Sequence, residues 1–265
     1  MINNKHLKAA QNHYSNIAHI YRELRITDSE PVLLINDYLK DIERIVAADV
    51  GSGAGRYAKL FFDHFGKDRL FLKCYDTNEF MLESLEEYLK QHNISNYLTK
   101  IAMAQELPIK DNSLNSIFCF NAIHYFNINK FLKECVRVLK DESLLFIYTR
   151  TRTQSEESVW GKYFPLYNAK ESRLYEPEEF EFILERRPRL EIVERKVFSF
   201  NRNNSVEDLV RRASSKHYST FELYEDEEFK RSLERFEDNL NQSYSDASNI
   251  DWLDEKTMYV IKKTD

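Results

Sequence analysis

The segment AADVGSGAGRYAKLF, residues 47–61, contains three glycines at alternate positions between an apolar run and a helix-like pattern. Glycine tolerates positive φ, and its missing side chain lets a ligand approach the main chain closely. Asp76 ends the next apolar run, and a carboxylate there can accept hydrogen bonds from both hydroxyls of a ribose. These residues therefore predict that Gly51, Gly53 and Asp76 bind a nucleoside-containing ligand.

Several ligand classes use a glycine-rich turn between a strand and a helix, and the spacing separates them. Dinucleotide sites need G-x-G-x-x-G, but Arg56 stands where the last glycine is required, which disfavours NAD and FAD. A P-loop needs Gly-Lys-Ser or Gly-Lys-Thr, which the segment lacks. S-adenosylmethionine carries no phosphate, and side chains at Gly51 or Gly53 would obstruct its nucleoside and amino-acid tail. We favour this ligand over a glycine turn in an unrelated α/β protein.

Short apolar runs alternate with helical patterns from about residue 30. Such alternation predicts a doubly wound α/β sheet, in which ligands bind beyond the carboxyl ends of the strands. The expected strands are residues 44–50, 70–76, 98–104, 115–122, 144–150, 189–200 and 256–263. We expect one domain over residues 1–265, with a helical cap (1–43), a cofactor-binding core (44–150) and substrate-side insertions with the last strands (151–265).

Residues 14–150 resemble the class I methyltransferases that use S-adenosylmethionine, specifically small-molecule methyltransferases of the methyltransferase domain 11 type. AADVGSGAGRYA is similar to their first motif, CYDTNEFML to the second, and AMAQELPIKDNSLNSIFCFNAIHYF to the third and fourth. The resemblance implies a Rossmann-like, seven-stranded, mostly parallel sheet with helices on both faces. It also implies an antiparallel last strand inserted beside its neighbour, an N-terminal helical cap and a helical insertion near the C-terminus.

The resemblance further implies which residues bind the cofactor. It also implies that the reaction leaves S-adenosylhomocysteine as the product. The implied set is Tyr14, Tyr21, Arg25, Asp49, Gly51, Ser52, Gly53, Gly55, Asp76, Thr77, Met81, Ala104, Gln105, Asn121 and Ala122. Met103 departs from the family pattern, because that position is commonly acidic and bonds the adenine amine. The alternative for the tyrosine-rich N-terminal segment is an amphipathic helix that packs on the domain.

Methyl transfer from a sulfonium is an in-line displacement, in which the protein orients the reactants and excludes water. A general base is needed only when the acceptor loses a proton. His124 is the best candidate because histidine titrates near neutrality, and Tyr14 is the second; a structural role is the alternative for His124.

Substrate choice is expected in the segment after the fifth strand and in the helices after the sixth, with the N-terminal helix and residues 151–175 covering the opening. Aromatic side chains often wall small-molecule sites, and an arginine can meet an anionic group. The candidates are Arg150, Trp160, Tyr163 and Tyr175. The alternative is that the aromatic residues fill a core and the arginine lies at the surface.

Composition limits the function classes. The net charge of −6 disfavours a nucleic-acid substrate, and the sequence shows neither a secretory signal nor a run long enough to span a membrane. We predict a cytoplasmic enzyme with a small-molecule substrate, no metal, and a monomeric or homodimeric state. A non-catalytic module that keeps this fold and an RNA-modifying methyltransferase are the alternatives.

Overall fold

The computed structural model describes Tyr14, Ser15, Ala18 and residues 20–265. The rest of the predicted cap before residue 20 lies outside the described residues.

Seven strands form one sheet in the described part of the chain. They are β1 (Ile45–Val50), β2 (Leu70–Asp76), β3 (Tyr97–Ile101), β4 (Leu114–Phe120), β5 (Leu139–Thr149), β6 (Leu190–Asn204) and β7 (Ile250–Lys263). Their order across the sheet is β3-β2-β1-β4-β5-β7-β6. β1 to β5 pair in parallel, whereas β7 runs antiparallel to its two neighbours, β5 and β6. This order confirms the predicted seven-stranded, mostly parallel sheet with an inserted antiparallel last strand.

The helices connect these strands and cover both faces of the sheet. They are α1 (Tyr21–Leu24), α2 (Glu30–Leu39), α3 (Arg56–Phe65), α4 (Glu79–Gln91), α5 (Ile128–Val138), α6 (Arg152–Glu157), α7 (Val159–Tyr163), α8 (Tyr167–Lys170), α9 (Pro177–Glu185), α10 (Val206–Ser214) and α11 (Asp226–Ser243). Asn78 caps α4 by accepting a hydrogen bond from the backbone amide of Met81, and Asn127 caps α5 through Lys130 in the same way. No helix in the described ranges is both long and apolar enough to cross a membrane.

The core has one apolar layer on each face of the sheet. In β4, Ile117 and Cys119 face the layer that contains α5 and α9, whereas Phe118 and Phe120 face the layer that contains α2, α3 and α4. Successive side chains of a strand point to opposite faces, so a strand covered on both sides is apolar at every position. This requirement explains the continuous apolar runs of the sequence.

The segment after β5 folds into the short helices α6, α7 and α8, and residues of α7 and α8 pack with α10 and α11 in a third apolar cluster. Trp160, Phe164, Phe221 and Phe236 are buried at the centre of this third apolar cluster. Trp160 stacks on Phe236, with ring centroids 5.5 Å apart. The aromatic residues of this segment therefore build a core of their own.

Candidate functional site

The three glycines of the loop between β1 and α3 all adopt positive φ, but they serve different purposes. A side chain at Gly51 would collide with Cβ of Ala122, and one at Gly55 would lie 2.7 Å from Cγ of Leu85. These two glycines therefore allow the loop to pack closely against Ala122 and Leu85. Among the described residues, a Cβ at Gly53 would meet only Tyr21, at 4.0 Å, so this part of the chain leaves the loop open beside Gly53. Gly51 also lines the cavity described below, so its packing against Ala122 does not exclude a contact with a ligand.

The carboxylate of Asp76 is fixed at the end of β2 by backbone amides. Oδ2 accepts a hydrogen bond from the Gly53 amide and Oδ1 accepts one from the Asn78 amide, both at 2.9 Å. Burial raises the pKa of Asp76, and the amides of Asn78, Gly53 and Thr77 partly oppose that rise. Each carboxylate oxygen keeps a further lone pair, so the group can still accept two hydrogen bonds from a ligand.

A cavity of about 180 Å³ lies at the carboxyl ends of β1, β2 and β4. Among the predicted cofactor residues, the cavity is lined by Tyr14, Tyr21, Gly51, Gly53, Asp76, Thr77, Met81, Ala104, Gln105, Asn121 and Ala122. Val50, Asn78, Ala102, Met103, Phe120, Tyr125 and Phe126 complete the wall. Met103 is 51% exposed, and its sulfur lies 4.0 Å from the Gln105 amide nitrogen. We call this space the first cavity.

Four residues of the predicted cofactor set do not line the first cavity. Ser52 donates its amide to the carbonyl of Tyr75, and Gly55 packs against Leu85. Asp49 is buried below the loop, where Oδ2 has no hydrogen-bond partner among the described residues. Burial and the neighbouring Asp76 raise the pKa of Asp49 to about 8. Arg25, predicted to pair with the cofactor carboxylate, lines a second cavity instead.

The second cavity, of about 50 Å³, adjoins the first. Tyr14, Asn121 and Tyr125 line both of them. The Asn121 backbone has φ of 55°, its amide donates to the carbonyl of Tyr148 at 2.7 Å, and its Nδ2 has no partner in the described ranges. The charged lining residues of the second cavity are Arg25, Arg150, Glu171 and Lys256.

Of the two candidate catalytic residues, Tyr14 lines both cavities, whereas His124 does not line the first. His124 lines the second cavity, where burial and the nearby Arg173 guanidinium lower its pKa to about 3. The expectation that His124 titrates near neutrality is therefore corrected: it is neutral at pH 7 and weakly basic. The Tyr14 hydroxyl lies 2.9 Å from that of Tyr125, and burial raises the pKa of Tyr14. Both side chains are suited to hydrogen bonding rather than to removing a proton.

The predicted substrate residues separate into two groups. Arg150 lines the second cavity and forms a buried ion pair with Asp254. Trp160 is 1% exposed within the C-terminal cluster, and Tyr163 packs at its margin beside Tyr244. Tyr175 packs on Phe180 in the sheet core. The expectation that these three aromatic residues wall a substrate pocket is corrected, because the third apolar cluster and the sheet core hold them away from both cavities.

Several lining residues of the second cavity were missed by the sequence analysis. They are Glu171, Tyr218, Ser219, Thr220 and Lys256. Ser219 bonds the Tyr125 hydroxyl, and Arg173 bonds both Glu171 and Ser219. No local motif marks these residues, because the fold brings them together from separate elements.

Comparison with known proteins agrees with this architecture. Residues 48–147 match the family profile described as methyltransferase domain. A methyltransferase candidate of Dictyostelium discoideum is 22% identical over 206 residues, which is 74% of this chain and 73% of that protein. The methyltransferase YcgJ of Bacillus subtilis is 30% identical over 95 residues, 36% of each chain.

Solved structures share the fold over most of this chain. The YcgJ structure superposes with a TM-score of 0.60 at 13% identity, covering 90% of this chain and all of YcgJ. Phospholethanolamine N-methyltransferase 2 of Haemonchus contortus, in complex with phosphomonomethylethanolamine and S-adenosylhomocysteine, has a TM-score of 0.56 at 14% identity, covering 89% of this chain and 52% of that protein. The chain therefore has the class I methyltransferase fold. The residues that match the family profile, 48–147, extend from β1 to β5 of this fold.

Proposed function

We propose that this protein transfers a methyl group from S-adenosylmethionine to a small-molecule acceptor. The observation that carries the proposal is the Asp76 carboxylate, which the amides of Gly53 and Asn78 hold at the wall of the first cavity. A ribose needs two acceptors of this kind, and the bare backbone at Gly53 leaves room beside them.

The other residues of the first cavity suit the remaining parts of this cofactor. Met81, Ala104 and Gln105 would border the adenine, and the Asn121 Nδ2, free of partners among the described residues, is a donor for the amino-acid tail. When bound, S-adenosylmethionine supplies an electrophilic methyl group for in-line displacement. Tyr14 and Tyr21 cover this cavity and reduce the access of water.

The chain's own contribution to the reaction is positioning. His124, neutral at pH 7, can exchange a hydrogen bond with a group in the second cavity. A nucleophile that carries no removable proton, such as a carboxylate, needs no general base. The residues of the second cavity thus support transfer driven by orientation of the acceptor.

Calorimetry with S-adenosylhomocysteine and NAD tests the proposal. We expect S-adenosylhomocysteine to bind and NAD to bind far more weakly. Asp76→Ala should weaken the binding of S-adenosylhomocysteine by about tenfold or more, because each lost hydrogen bond to a charged acceptor is worth about 1.5–3 kcal/mol. Asp63→Ala, at an exposed site on α3 paired with Lys59, is the matched control and should leave the affinity unchanged. Preferential NAD binding, or an unaffected Asp76→Ala variant, would contradict the proposal.

A non-catalytic protein that binds the same ligand is the second candidate. The exposed Met103 favours it, because the first cavity presents a thioether at a position that is commonly acidic in similar methyltransferases. Transfer of radiolabel from S-adenosylmethionine to small molecules of a cell extract separates the two candidates. Labelled product that depends on Asp76 supports the enzyme, and tight cofactor binding without labelled product supports the binding protein.

A further inference from the structure

The second cavity is placed to hold part of a molecule that reacts in the first. Tyr14, Asn121 and Tyr125 form the boundary between the two spaces. A volume of about 50 Å³ accommodates a small polar group and excludes a large ring system. A ligand with one end in the second cavity therefore extends toward the site proposed for the cofactor.

The charges around this cavity do not balance. The cluster contains the cations Arg25, Arg150, Arg173, Arg202 and Lys256 and the carboxylates Asp28, Glu171 and Asp254. Five cations against three carboxylates leave two positive charges in excess among the described residues. Buried charges are stable only when they are paired, so the excess points to an anionic partner.

Arg25 is the cation most available to such a partner. Within the described ranges it makes no ion pair; its Nη1 donates to the carbonyl of His217 at 3.1 Å, and its guanidinium lies over the ring of Tyr218. Arg150 is buried and bound to Asp254 on one side, while its Nε has no partner among the described residues. Both guanidiniums line the second cavity and have donors left for an anion.

The positive potential of the cavity also acts on its neutral side chains. Burial alone would raise the pKa of Tyr218, but Arg150, Arg25 and Lys256 together lower it. The same surroundings keep His217 uncharged, since burial and Arg25 lower its pKa well below the usual value. The field of the cations therefore extends through the space that a ligand would occupy.

We propose that the second cavity binds a carboxylate or phosphate group of the methyl acceptor, which is therefore an anionic small molecule. Arg25 and Arg150 supply guanidinium donors, and Lys256 adds a point charge. This inference rests on the proposed methyltransferase function. The competing role for Arg25 is to bind the carboxylate of the cofactor itself, and the experiment separates the two roles.

The test is calorimetry on the full chain, with and without S-adenosylhomocysteine. The probes are acetate, succinate, citrate and inorganic phosphate, with acetamide and succinamide as neutral counterparts. We expect at least one acid to bind about tenfold more tightly than its amide. Arg25→Gln should remove most of that preference, and Arg25→Lys should keep part of it. Arg44→Gln removes the same charge from an exposed site and should change nothing. Comparing the carboxylates with phosphate identifies the group.

The outcomes are distinct. Acids that bind no better than amides, or acid binding unaffected by Arg25→Gln, would overturn the inference. So would an Arg25→Gln variant that loses affinity for S-adenosylhomocysteine and keeps its preference for acids, because Arg25 would then bind the cofactor. Anion binding without binding of S-adenosylhomocysteine would contradict the proposed function and leave the anion site in place.

Discussion

At the residue scale, Asp49 is a buried carboxyl group close to a second one. Burial and Asp76 raise its pKa to about 8, whereas the unfolded value is about 3.9. The folded state therefore holds the proton more tightly than the unfolded state does. The contribution of protonated Asp49 to the free energy of unfolding is fully present below about pH 4 and is lost as the pH rises toward 8.

Asp49→Asn should for this reason stabilise the protein at neutral and alkaline pH. Asparagine cannot ionise, so we expect a gain of about 2–4 kcal/mol in the free energy of unfolding at pH 8 and a smaller gain at pH 6. Urea denaturation at both values measures it. A variant that is less stable than the native protein at pH 8 would show that the Asp49 carboxylate is stabilised in its charged form.

His124 gives a pH dependence of the opposite direction. Its pKa of about 3 in the folded protein lies below the unfolded value of about 6.5. The unfolded state thus binds more protons between these values, and stability falls as the pH decreases through this range. When the pH decreases from 7 to 5, we expect the free energy of unfolding of His124→Gln to fall by about 2 kcal/mol less than that of the native protein. Equal losses of the free energy of unfolding, measured by urea denaturation, would mean that His124 binds a proton as readily in the folded protein as in the unfolded chain.

The residues of the two cavities differ in how far the sequence predicts them. Gly53 and Asp76 follow consecutive strands in a contiguous pattern, so their proximity can be predicted from the local sequence. Lys256 and Ser219 join Arg25 only because β7 and the turn at residues 219–223 meet the N-terminal segment in space. The sequence pattern alone does not predict such contacts between distant segments. For the same reason it did not predict that Gly51 packs against Ala122.

At the scale of elements, the helices after β5 form a packed unit rather than an irregular covering loop. Thr151 and Gln154 form a capping box at the start of α6, and the Ser158 hydroxyl caps α7 through the amide of Gly161. Their aromatic residues have the same spacing whether they fill a core or line a pocket. The pattern after β5 therefore predicted neither the helices α6, α7 and α8 nor whether Trp160 lies in a core or in a pocket.

Strand lengths show a similar limit. β2 spans the predicted residues 70–76, because its apolar run is buried between helices. β7 begins at Ile250 rather than at residue 256, since residues 250–256 pair with β6 in a two-stranded extension beyond β5. This stretch mixes apolar and charged residues without a continuous apolar run, so only the three-dimensional structure reveals the extension.

Trp160→Ala tests the role of the C-terminal cluster. The indole is 1% exposed and packs against Phe236, Phe221 and His217, and its removal should cost about 3–5 kcal/mol of stability. Affinity for S-adenosylhomocysteine should stay within about threefold, because Trp160 lines neither the first nor the second cavity. Phe182→Ala, at a 54% exposed site on α9, is the control for thermal melting. A stable Trp160→Ala variant with altered acceptor turnover would restore the pocket hypothesis.

At the scale of the whole molecule, an acidic chain encloses a cationic interior. The net charge is −6, yet the cluster at the second cavity carries excess positive charge. Asp28 connects the N-terminal segment to β6 through Arg202, at 2.6 Å, and to β7 through Lys256, at 3.3 Å. Asp254 holds Arg150, Arg202 and Lys256 from within the sheet. The same ion pairs thus bind distant parts of the chain together and set the potential of the cavity.

Asp28→Asn should consequently change stability and anion binding in opposite directions. Removing one carboxylate leaves Arg202 and Lys256 to share Asp254, and breaking a buried ion pair from one side costs about 3–5 kcal/mol. The same change adds one positive charge to the excess, so the best-binding acid should bind several-fold more tightly. Asp37→Asn, at an exposed position of α2, is the matched control and should alter neither quantity. Denaturation and calorimetry on the same preparations measure both effects. Reduced stability with weaker acid binding would show that Asp28 positions the second cavity rather than limiting its charge.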